Sequence, residues 1–552
     1  MRWLVPVVVL LAVAGSAAAQ DSLVTPQVAR TASGLFGIPF SPPELDSLVG
    51  LLEDQLADYR ALRQQPVGNG VPPALVFNPH PAGYMPPAGI SYLRLPKLPK
   101  TDLPRDSTEI AFASLQQLGQ WLRRGALSSV QLTGLYLGRL RRYGPELACV
   151  VTLTDSLAYA QARQADAELA RGVDRGPLHG IPYGLKDLFA TRGYRTTWGA
   201  GGLAQQWVPE DATVVQALEA AGAVLVAKLT LGELAMGDVW FGGKTRNPFN
   251  PSAGSSGSSA GSASAVAAGL VPFAIGTETL GSIVSPSTVC GVTGLRPTFG
   301  RIDRTGAMAL SWSMDKVGPI ARSAIDCAQV FDALYRVTGQ DPAHRVVPFQ
   351  FDAGLPLKSL RVGYLKADFE RPGGYPFQAT DSTALAQLRS LGIELQAVEL
   401  PALAQTDLTF LLLAEAATAF DDLTRSGADD RLVQQGKNAW PNLFRAARFI
   451  PAVEYLQANR LRTQLIHAMN ELFETEGLDL IVAPSWVGRQ LRTTNLTGHP
   501  CVVLPTGFSN GGKTNHSICI LGRLYEEGAV LRLAAAYQEV TRWDERRPEG
   551  FE

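Results

Sequence analysis

The stretch of residues 247–300 constrains the fold of this chain more than any other part of its sequence. It holds two blocks of glycine and serine, at 252–264 and 276–282, with an apolar helix-like segment and the strand-like residues 271–275 between them. A flexible linker can have such a composition, but a linker does not run without a break into apolar helices and strands. Small residues between apolar elements allow close backbone packing, and glycine permits tight turns there. The stretch therefore predicts closely packed turns inside a globular core.

Helical and strand-like patterns alternate from about residue 108 to the end of the chain. Apolar residues at helical spacing predict helices at 115–124, 128–143, 155–171 and 213–221. Short runs rich in valine, isoleucine and leucine predict strands at 148–153, 223–227, 360–365, 480–483 and 501–504. Alternation of this kind is typical of an α/β fold built around a largely buried sheet.

The first 19 residues have the pattern of a secretory signal peptide. Arg2 supplies a positive charge, an apolar run follows, and three alanines at 17–19 precede Gln20. This order predicts cleavage before Gln20 and an exported protein, periplasmic or secreted. The apolar run is short for a membrane span, although an uncleaved N-terminal anchor is the alternative. No later run is long enough, so we expect no membrane span in the mature protein.

Residues 20–107 are expected to form an N-terminal helical arm followed by a proline-rich connector. Ser41 and Glu44 have the spacing of a capping box, with proline at the first helical position, so a helix should begin there. Prolines crowd the segment 66–104, which favours an irregular extended chain. We therefore expect the main domain to begin near Thr108.

Charge and cysteine content exclude several classes of protein. Lysine and arginine total 49 against 50 for aspartate and glutamate, which leaves a net charge of -1. Nucleic-acid binding needs a basic surplus, so no nucleic-acid partner is expected. The five cysteines are scattered, and no metal-binding or nucleotide-binding motif is present. We expect buried thiols with at most one disulfide.

Two common serine-enzyme motifs occur without the context they need. Residues 257–261 match Gly-x-Ser-x-Gly, in which Ser259 would be the nucleophile, but that pattern requires a strand immediately before it, and prolines and glycines precede it here. Ser313 and Lys316 match Ser-x-x-Lys, which must open a helix, yet a Gly-Pro pair follows at once. Both interpretations are therefore disfavoured.

A larger set of segments resembles the amidase signature family. The segments are HGIPYGLKD at 179–187, GSSAGS at 257–262, GTETLGS at 276–282, CGVTGLRPT at 290–298, DKVGPIAR at 315–322 and NLTGHP at 495–500. They occur in the family's order, and the similarity runs from about residue 108 to 547. The resemblance implies a single large amidase-type domain at 108–547, with a mixed β-sheet core covered by helices on both faces.

The resemblance also implies a Ser-Ser-Lys triad. Carried over position by position, Ser282 is the acylating nucleophile, Ser258 is the bridging serine that usually follows a cis peptide bond, and Lys186 is the base. The implied oxyanion hole consists of the backbone N–H groups of Thr279, Leu280, Gly281 and Ser282. No metal or organic cofactor is implied.

A lysine base requires a special environment. The free side chain has a pKa near 10.4, so a neutral amine at pH 7 costs roughly 4–5 kcal/mol unless the site lowers the pKa. Burial near Leu185 and Leu188 would do so, because desolvation disfavours the ammonium form. Asp187 could instead hold Lys186 in an ion pair, and His179 could instead serve as the base of a serine nucleophile.

The chain departs from the family pattern around the nucleophile. The family usually has two glycines before this serine, where the chain has Leu280 and Gly281, and an arginine two residues after it, where the chain has Val284. We expect Glu278 to orient the turn rather than act as a general acid. Another cation must then replace the usual arginine partner of this carboxylate. We expect these changes to affect which substrates the protein accepts more than they affect the triad.

The sequence thus predicts an amidohydrolase that cleaves linear carboxamide C–N bonds through a seryl acyl-enzyme. We expect a small-molecule amide as its substrate and a monomer or homodimer. Trp240, Phe241 and Trp312, near the motifs, suggest an apolar acyl or aryl group. Two alternatives stay open. One is the glutamine-hydrolysing A subunit of a tRNA-dependent amidotransferase, against which the signal peptide counts, and the other is a non-catalytic binding protein on the same scaffold.

Overall fold

The computed structural model describes residues 23–65 and 67–551, and the chain divides into two compact units between Gly68 and Asn69. The predicted signal peptide lies outside the described residues. The α-helices of the described residues are α1 (Pro26–Phe36), α2 (Pro42–Leu62), α3 (Ser107–Ala111), α4 (Leu115–Arg123), α5 (Ser129–Leu147), α6 (Asp155–Ala170), α7 (Thr213–Ala220), α8 (Ala260–Ala267), α9 (Val284–Cys290), α10 (Ala324–Leu334), α11 (Lys366–Phe369), α12 (Gln378–Ser390), α13 (Phe410–Ala419), α14 (Asp421–Ser426), α15 (Trp440–Ala447), α16 (Ala452–Thr475), α17 (Gln490–Thr497) and α18 (Glu527–Thr541).

The second unit is organised around one eleven-stranded mixed sheet. The strands of the described residues are β1 (Tyr92–Arg94), β2 (Val150–Leu153), β3 (Pro182–Lys186), β4 (Val224–Leu229), β5 (Val239–Trp240), β6 (Gly243–Lys244), β7 (Arg246–Asn247), β8 (Asn250–Gly254), β9 (Phe273–Glu278), β10 (Thr293–Arg296), β11 (Lys316–Ala321), β12 (Gln350–Asp352), β13 (Val362–Leu365), β14 (Leu395–Val398), β15 (Leu480–Pro484), β16 (Cys501–Ser509) and β17 (Thr514–Gly522). The order across the sheet is β14-β13-β15-β17-β16-β10-β11-β9-β3-β4-β2, and six short strands form three separate pairs.

Helices cover both faces of the large sheet. Along β4, Leu225 belongs to one hydrophobic cluster, whereas Val224 and Val226 belong to another. The same alternation occurs on β9, where Ile275 and Ala274 fall into different clusters. Because successive side chains of a strand point to opposite faces, the two clusters are the cores above and below the sheet. This confirms the predicted α/β class with a mixed sheet as its core.

The elements that local sequence signals predicted in the second unit are present, with differences at some of their ends. Ser114 and Ser128 open α4 and α5 with capping boxes, completed by Gln117 and Gln131. The predicted helix 128–143 is too short, since α5 continues through Pro145 to Leu147. The strand predicted at 501–504 is likewise longer, because it continues to Ser509 in the hairpin with β17.

The first unit contains α1 and α2. Thr25 caps α1 through its side chain, and the Ser41 N–H donates to the Glu44 carboxylate at 2.7 Å to complete the predicted capping box of α2. In the second unit, the proline-rich segment contains the short strand β1, which pairs in parallel with β12. Within the described residues, no helix combines the length and apolar character that a membrane crossing requires. All five cysteines are buried and unpaired.

Candidate active site

Two neighbouring parallel strands bring the predicted lysine to the glycine-serine turns. β3 ends at Lys186 and β9 ends at Glu278, and their register pairs Leu185 with Ile275. Because the strands are parallel, their carboxyl ends lie at the same edge of the sheet. The second glycine-serine block, which begins within β9 at Gly276, therefore lies beside Lys186.

The amine of Lys186 is fully buried and is surrounded by hydroxyl groups. Its Nζ lies 2.9 Å from Ser258 Oγ, 3.0 Å from Ser259 Oγ and 2.8 Å from Thr277 Oγ1. In the described part of the chain, this amine forms no ion pair with a carboxylate. The peptide bond between Gly257 and Ser258 is cis, as the resemblance implies. Two predicted site residues, Lys186 and Ser258, are thus in direct contact.

Burial lowers the pKa of Lys186 to about 7. Desolvation of the ammonium form is the main cause, and the negative charges of Asp315 and Glu278 oppose it. Asp187, which the sequence allowed as an ion-pair partner, instead lies 2.9 Å from the amine of Lys228. A substantial fraction of Lys186 is therefore neutral at neutral pH, which is the environment that a lysine base needs.

Ser259 fixes the direction of one lysine hydrogen. Its hydroxyl donates to the Thr277 carbonyl at 3.1 Å and accepts the Thr277 N–H at 3.2 Å. With its own hydrogen used in this way, Ser259 can only accept from Lys186. Ser258 makes no other side-chain hydrogen bond among the described residues, so its hydrogen is free to point at the lone pair of a neutral Lys186. Sequence reasoning treated Ser259 only as a rival nucleophile and did not identify Thr277.

Ser282 lies on a turn that requires glycine. Gly281 has a φ of +88°, and a Cβ at that position would lie 2.9 Å from Ser285 Oγ. The Ser282 carbonyl accepts the Ser259 N–H at 3.1 Å, which joins the two glycine-serine blocks. Within the residues described, Ser282 Oγ makes no hydrogen bond, so the Ser258–Ser282 contact of the implied triad is not formed here. In free enzymes such contacts are often long and tighten only around a substrate.

The turn before Ser282 carries free backbone donors. The N–H groups of residues 279–282 donate to no group in the described ranges, whereas those of Ile283 and Val284 both donate to Glu278 Oε2, at 2.8 and 2.9 Å. Glu278 therefore caps the N-terminus of α9 and fixes the conformation of the turn before it. This carboxylate orients the turn, as its sequence context predicted.

Arg296 supplies the cation that the sequence required as a partner for Glu278. Its Nη1 donates to Glu278 Oε1 at 2.8 Å, and Asn495 Nδ2 donates to the same oxygen at 2.8 Å. Burial opposes ionisation of Glu278, but the charge of Arg296 holds its pKa at about 2. Arg296 thus takes the place of the arginine that is missing at Val284. Neither Arg296 nor Asn495 was singled out from sequence, although both lie in segments that carry the family resemblance.

The histidine alternative has a structural role. His179 Nδ1 accepts the Arg175 N–H at 3.1 Å, and Nε2 lies 3.2 Å from Glu168. Both ring nitrogens are thus occupied away from the serine turns, so His179 is not placed to act as a base.

The Ser-x-x-Lys alternative also lacks its geometry. Ser313 Oγ donates to Glu415 at 2.6 Å, whereas the Lys316 amine is directed to the Thr279 carbonyl at 3.4 Å. Lys316 lies on β11 rather than on a helix. The two side chains therefore have separate partners and do not form a nucleophile-base pair.

A cavity of about 140 Å³ adjoins this centre. Thr277, which contacts Lys186, and Thr279, which begins the oxyanion turn, both line it. Its apolar lining includes Leu188, Ala235, Met308, Leu310 and Trp312. Of the three aromatic residues singled out from sequence, Trp312 lines the cavity, whereas Trp240 and Phe241 pack against each other, with ring centroids 4.7 Å apart.

Comparisons with known proteins show which family this chain resembles in sequence and fold. Residues 131–503 match the family model Amidase. The chain is 33% identical over 484 residues to the A subunit of the glutamyl-tRNA(Gln) amidotransferase from Methylococcus capsulatus, an alignment that covers 79% of this chain and 99% of that protein. Its counterpart from Roseiflexus castenholzii is 34% identical, with 79% and 97% covered. The native peptide amidase from Stenotrophomonas maltophilia superposes with a TM-score of 0.69 at 30% identity, with 80% of this chain and 98% of that chain covered.

Proposed function

The chain belongs to the amidase family, whose enzymes act on amide C–N bonds, and we propose that it is an amidohydrolase that cleaves linear carboxamides through an acyl-enzyme on Ser282. The observation that carries this proposal is the buried amine of Lys186, which has a pKa of about 7 and contacts Ser258 at 2.9 Å. A non-catalytic binding protein would have no need of a lysine kept close to its neutral form in this way.

The first half of the proposed reaction transfers the acyl group. Ser282 Oγ attacks the carbonyl carbon while its proton passes to Ser258 Oγ, and the Ser258 proton passes to neutral Lys186. The free N–H groups of residues 279–282 stabilise the negative oxygen that forms. As this intermediate collapses, the C–N bond breaks, and the proton on Lys186 returns through Ser258 to the leaving nitrogen.

The second half hydrolyses the ester on Ser282. Water attacks the acyl carbon, and one of its protons passes through Ser258 to Lys186. The C–O bond to Ser282 then breaks, Ser282 regains a proton by the same route, and the carboxylic acid leaves. Each turnover releases one amine or ammonia and one acid, and the enzyme returns to its starting protonation state.

Purified wild type and three variants test the proposal with primary carboxamides, by measuring released ammonia. Ser282→Ala and Lys186→Ala should each lower kcat by about 10⁴-fold or more, because the nucleophile and its base act as a unit. Ser252→Ala, an exposed serine of the same glycine-serine region, is the matched control and should keep wild-type activity. Retained turnover in either of the first two variants, with circular dichroism unchanged, would refute the assignment.

A second candidate function follows from the relatives. Several of them are A subunits of glutamyl-tRNA(Gln) amidotransferases, which are 31–34% identical to this chain. On this alternative, the chain would hydrolyse glutamine within a complex. Free glutamine as the preferred substrate, and activity that requires a copurifying partner, would favour it over the independent amidohydrolase.

Export is part of the main proposal, since the first 19 residues have the order of charge, apolar core and small residues typical of a signal peptide. Cell fractionation, with sequencing of the mature N-terminus, tests it. A mature chain that begins at Gln20 outside the cytoplasm would count against the amidotransferase alternative. A full-length cytoplasmic chain would remove the export proposal.

A further inference from the structure

The rim of the cavity beside the catalytic centre is formed partly by residues that precede the family-matched region. Gly70 and Pro72 line the cavity together with Thr277 and Thr279, yet the family model begins at residue 131. Both Gly70 and Pro72 are exposed, which places them at the mouth rather than at the floor. The entrance thus depends on a segment of this chain outside the matched domain.

Hydrogen bonds fix this segment in place. Asn69 Nδ2 donates to the Ala309 carbonyl at 2.9 Å, and Asn69 Oδ1 accepts the Ala309 N–H at 2.8 Å. A further contact of 3.3 Å joins Asn69 Nδ2 to the Ala419 carbonyl. Because Ala309 itself lines the cavity, the side chain of Asn69 attaches the segment 69–72 directly to the cavity wall.

The cavity suits an uncharged group. Its charged lining residues have partners within the chain. Arg304 pairs with Asp341 at 2.6 Å, Asp315 accepts hydrogen bonds from Thr279 Oγ1 and from two backbone N–H groups, and the Lys316 amine is directed to the Thr279 carbonyl at 3.4 Å. The rest of the lining is largely apolar. A cavity of about 150 Å³ with an apolar lining accepts a benzene ring, and this cavity of about 140 Å³ is close to that size.

We propose that this cavity receives the acyl group of a primary carboxamide and that the segment 69–72 limits the size of that group. The inference rests on the function proposed above. In a primary carboxamide the leaving group is ammonia, so the acyl group is the only part large enough to fill such a cavity. Specificity is then set jointly by the matched domain and by a segment before it.

Gly70 offers a direct test. A Cβ added at Gly70 meets no atom within 4 Å, so Gly70→Phe can be tolerated by the fold while it narrows the cavity mouth. Gly68→Phe is the matched control, because Gly68 is also exposed, also has open space around an added Cβ, and does not line the cavity. Thermal denaturation of both variants checks that the fold is kept.

The two substrates are acetamide and phenylacetamide, and the quantity compared is kcat/KM. Gly70→Phe should lower kcat/KM for phenylacetamide by about tenfold or more, since misfit in a binding pocket by one methylene already changes this ratio by about 10–200-fold. It should leave kcat/KM for acetamide within about twofold, and Gly68→Phe should leave both values unchanged. Asn69→Ala, which releases the segment from Ala309 and Ala419, should relax the size limit and so raise kcat/KM for phenylacetamide relative to that for acetamide.

Two results would overturn the proposal, and they differ. If wild type shows Ser282-dependent hydrolysis but Gly70→Phe keeps the wild-type ratio of the two substrates, the segment 69–72 does not border the acyl site and the proposed function stands. If wild type hydrolyses neither amide, this inference fails; the proposed function fails with it only if no other linear carboxamide shows Ser282-dependent hydrolysis.

Discussion

Replacing Lys186 by methionine should abolish activity and yet stabilise the protein in a pH-dependent manner. The side chain is fully buried, and desolvation lowers its pKa from 10.5 to about 7. In the unfolded chain the same amine is solvated and has its ordinary pKa. The unfolded state therefore binds more protons than the folded state between these two values, and the folded state gains stability as pH rises through this range.

The size of the pKa shift of Lys186 determines how much stability the protein loses. A fall in pKa from 10.5 to about 7 corresponds to about 5 kcal/mol of destabilisation, fully present below pH 7. The same relation leaves about 2 kcal/mol at pH 9 and nothing above the unfolded pKa. Methionine removes this whole cost. It also removes hydrogen bonds to three hydroxyl groups, each worth about 1 kcal/mol, but that loss does not vary with pH over this range.

The assay is urea denaturation of wild type and Lys186→Met at pH 6 and pH 9. The stability advantage of the variant should shrink by about 2–3 kcal/mol from the lower to the higher pH. Lys97→Met, at an exposed lysine, is the control and should show a pH-independent difference from wild type. Every other titrating group is common to the proteins compared, so it cancels. A difference for Lys186→Met that is the same at both pH values would refute the reasoning.

Three further results are expected. The wild-type kcat/KM should rise with pH and reach half its plateau near pH 7, as neutral Lys186 forms; a flat profile from pH 5 to 9 would contradict a lysine base. Gly281→Ala, which brings a Cβ to 2.9 Å from Ser285 Oγ at a left-handed φ, should lower kcat by about 10²–10³-fold through displaced oxyanion donors, and an unchanged kcat would show that the turn tolerates the shift. Arg296→Met should destabilise the fold by about 3–5 kcal/mol in urea denaturation, because it leaves the Glu278 carboxylate buried without its cation; a loss below 1 kcal/mol would show that Asn495 and backbone donors suffice.

Periodicity and caps were sufficient to locate the elements that the sequence predicted in the second unit, about a third of those present. These signals are local. A capping serine accepts the N–H of the residue three positions later, and the spacing of apolar residues is also set within a few positions. The predicted bounds are wrong where contacts between distant parts of the chain determine the end of an element. β16 continues to Ser509 because its partner β17 is long enough to pair with it, and no feature of the segment 501–509 by itself specifies that partner.

The residues proposed to be catalytic could be identified from motifs, but their supporting contacts could not. Lys186 and Ser258 are 72 positions apart in sequence. The parallel pairing of β3 with β9 brings Lys186 beside Thr277, and the hydrogen bonds between Ser259 and Thr277 hold the adjoining Ser258 at the same place. The missing arginine at Val284 indicated that some cation must face Glu278, yet several basic residues could have met that need. Only the three-dimensional structure identifies Arg296, which lies on β10, separated from β9 by β11 in the same sheet.

Alkylation of the buried cysteines can be used to measure local unfolding of this chain. Burial raises the pKa of the Cys149 thiol to about 12, and Cys501 and Cys519 lie on the adjacent central strands β16 and β17. A membrane-impermeant alkylating reagent can reach such thiols only when the surrounding segment separates from its neighbours. The rate of mass increase at Cys290, at the end of the helix that follows the nucleophile, would then measure how often the catalytic turn comes apart while the central strands stay closed.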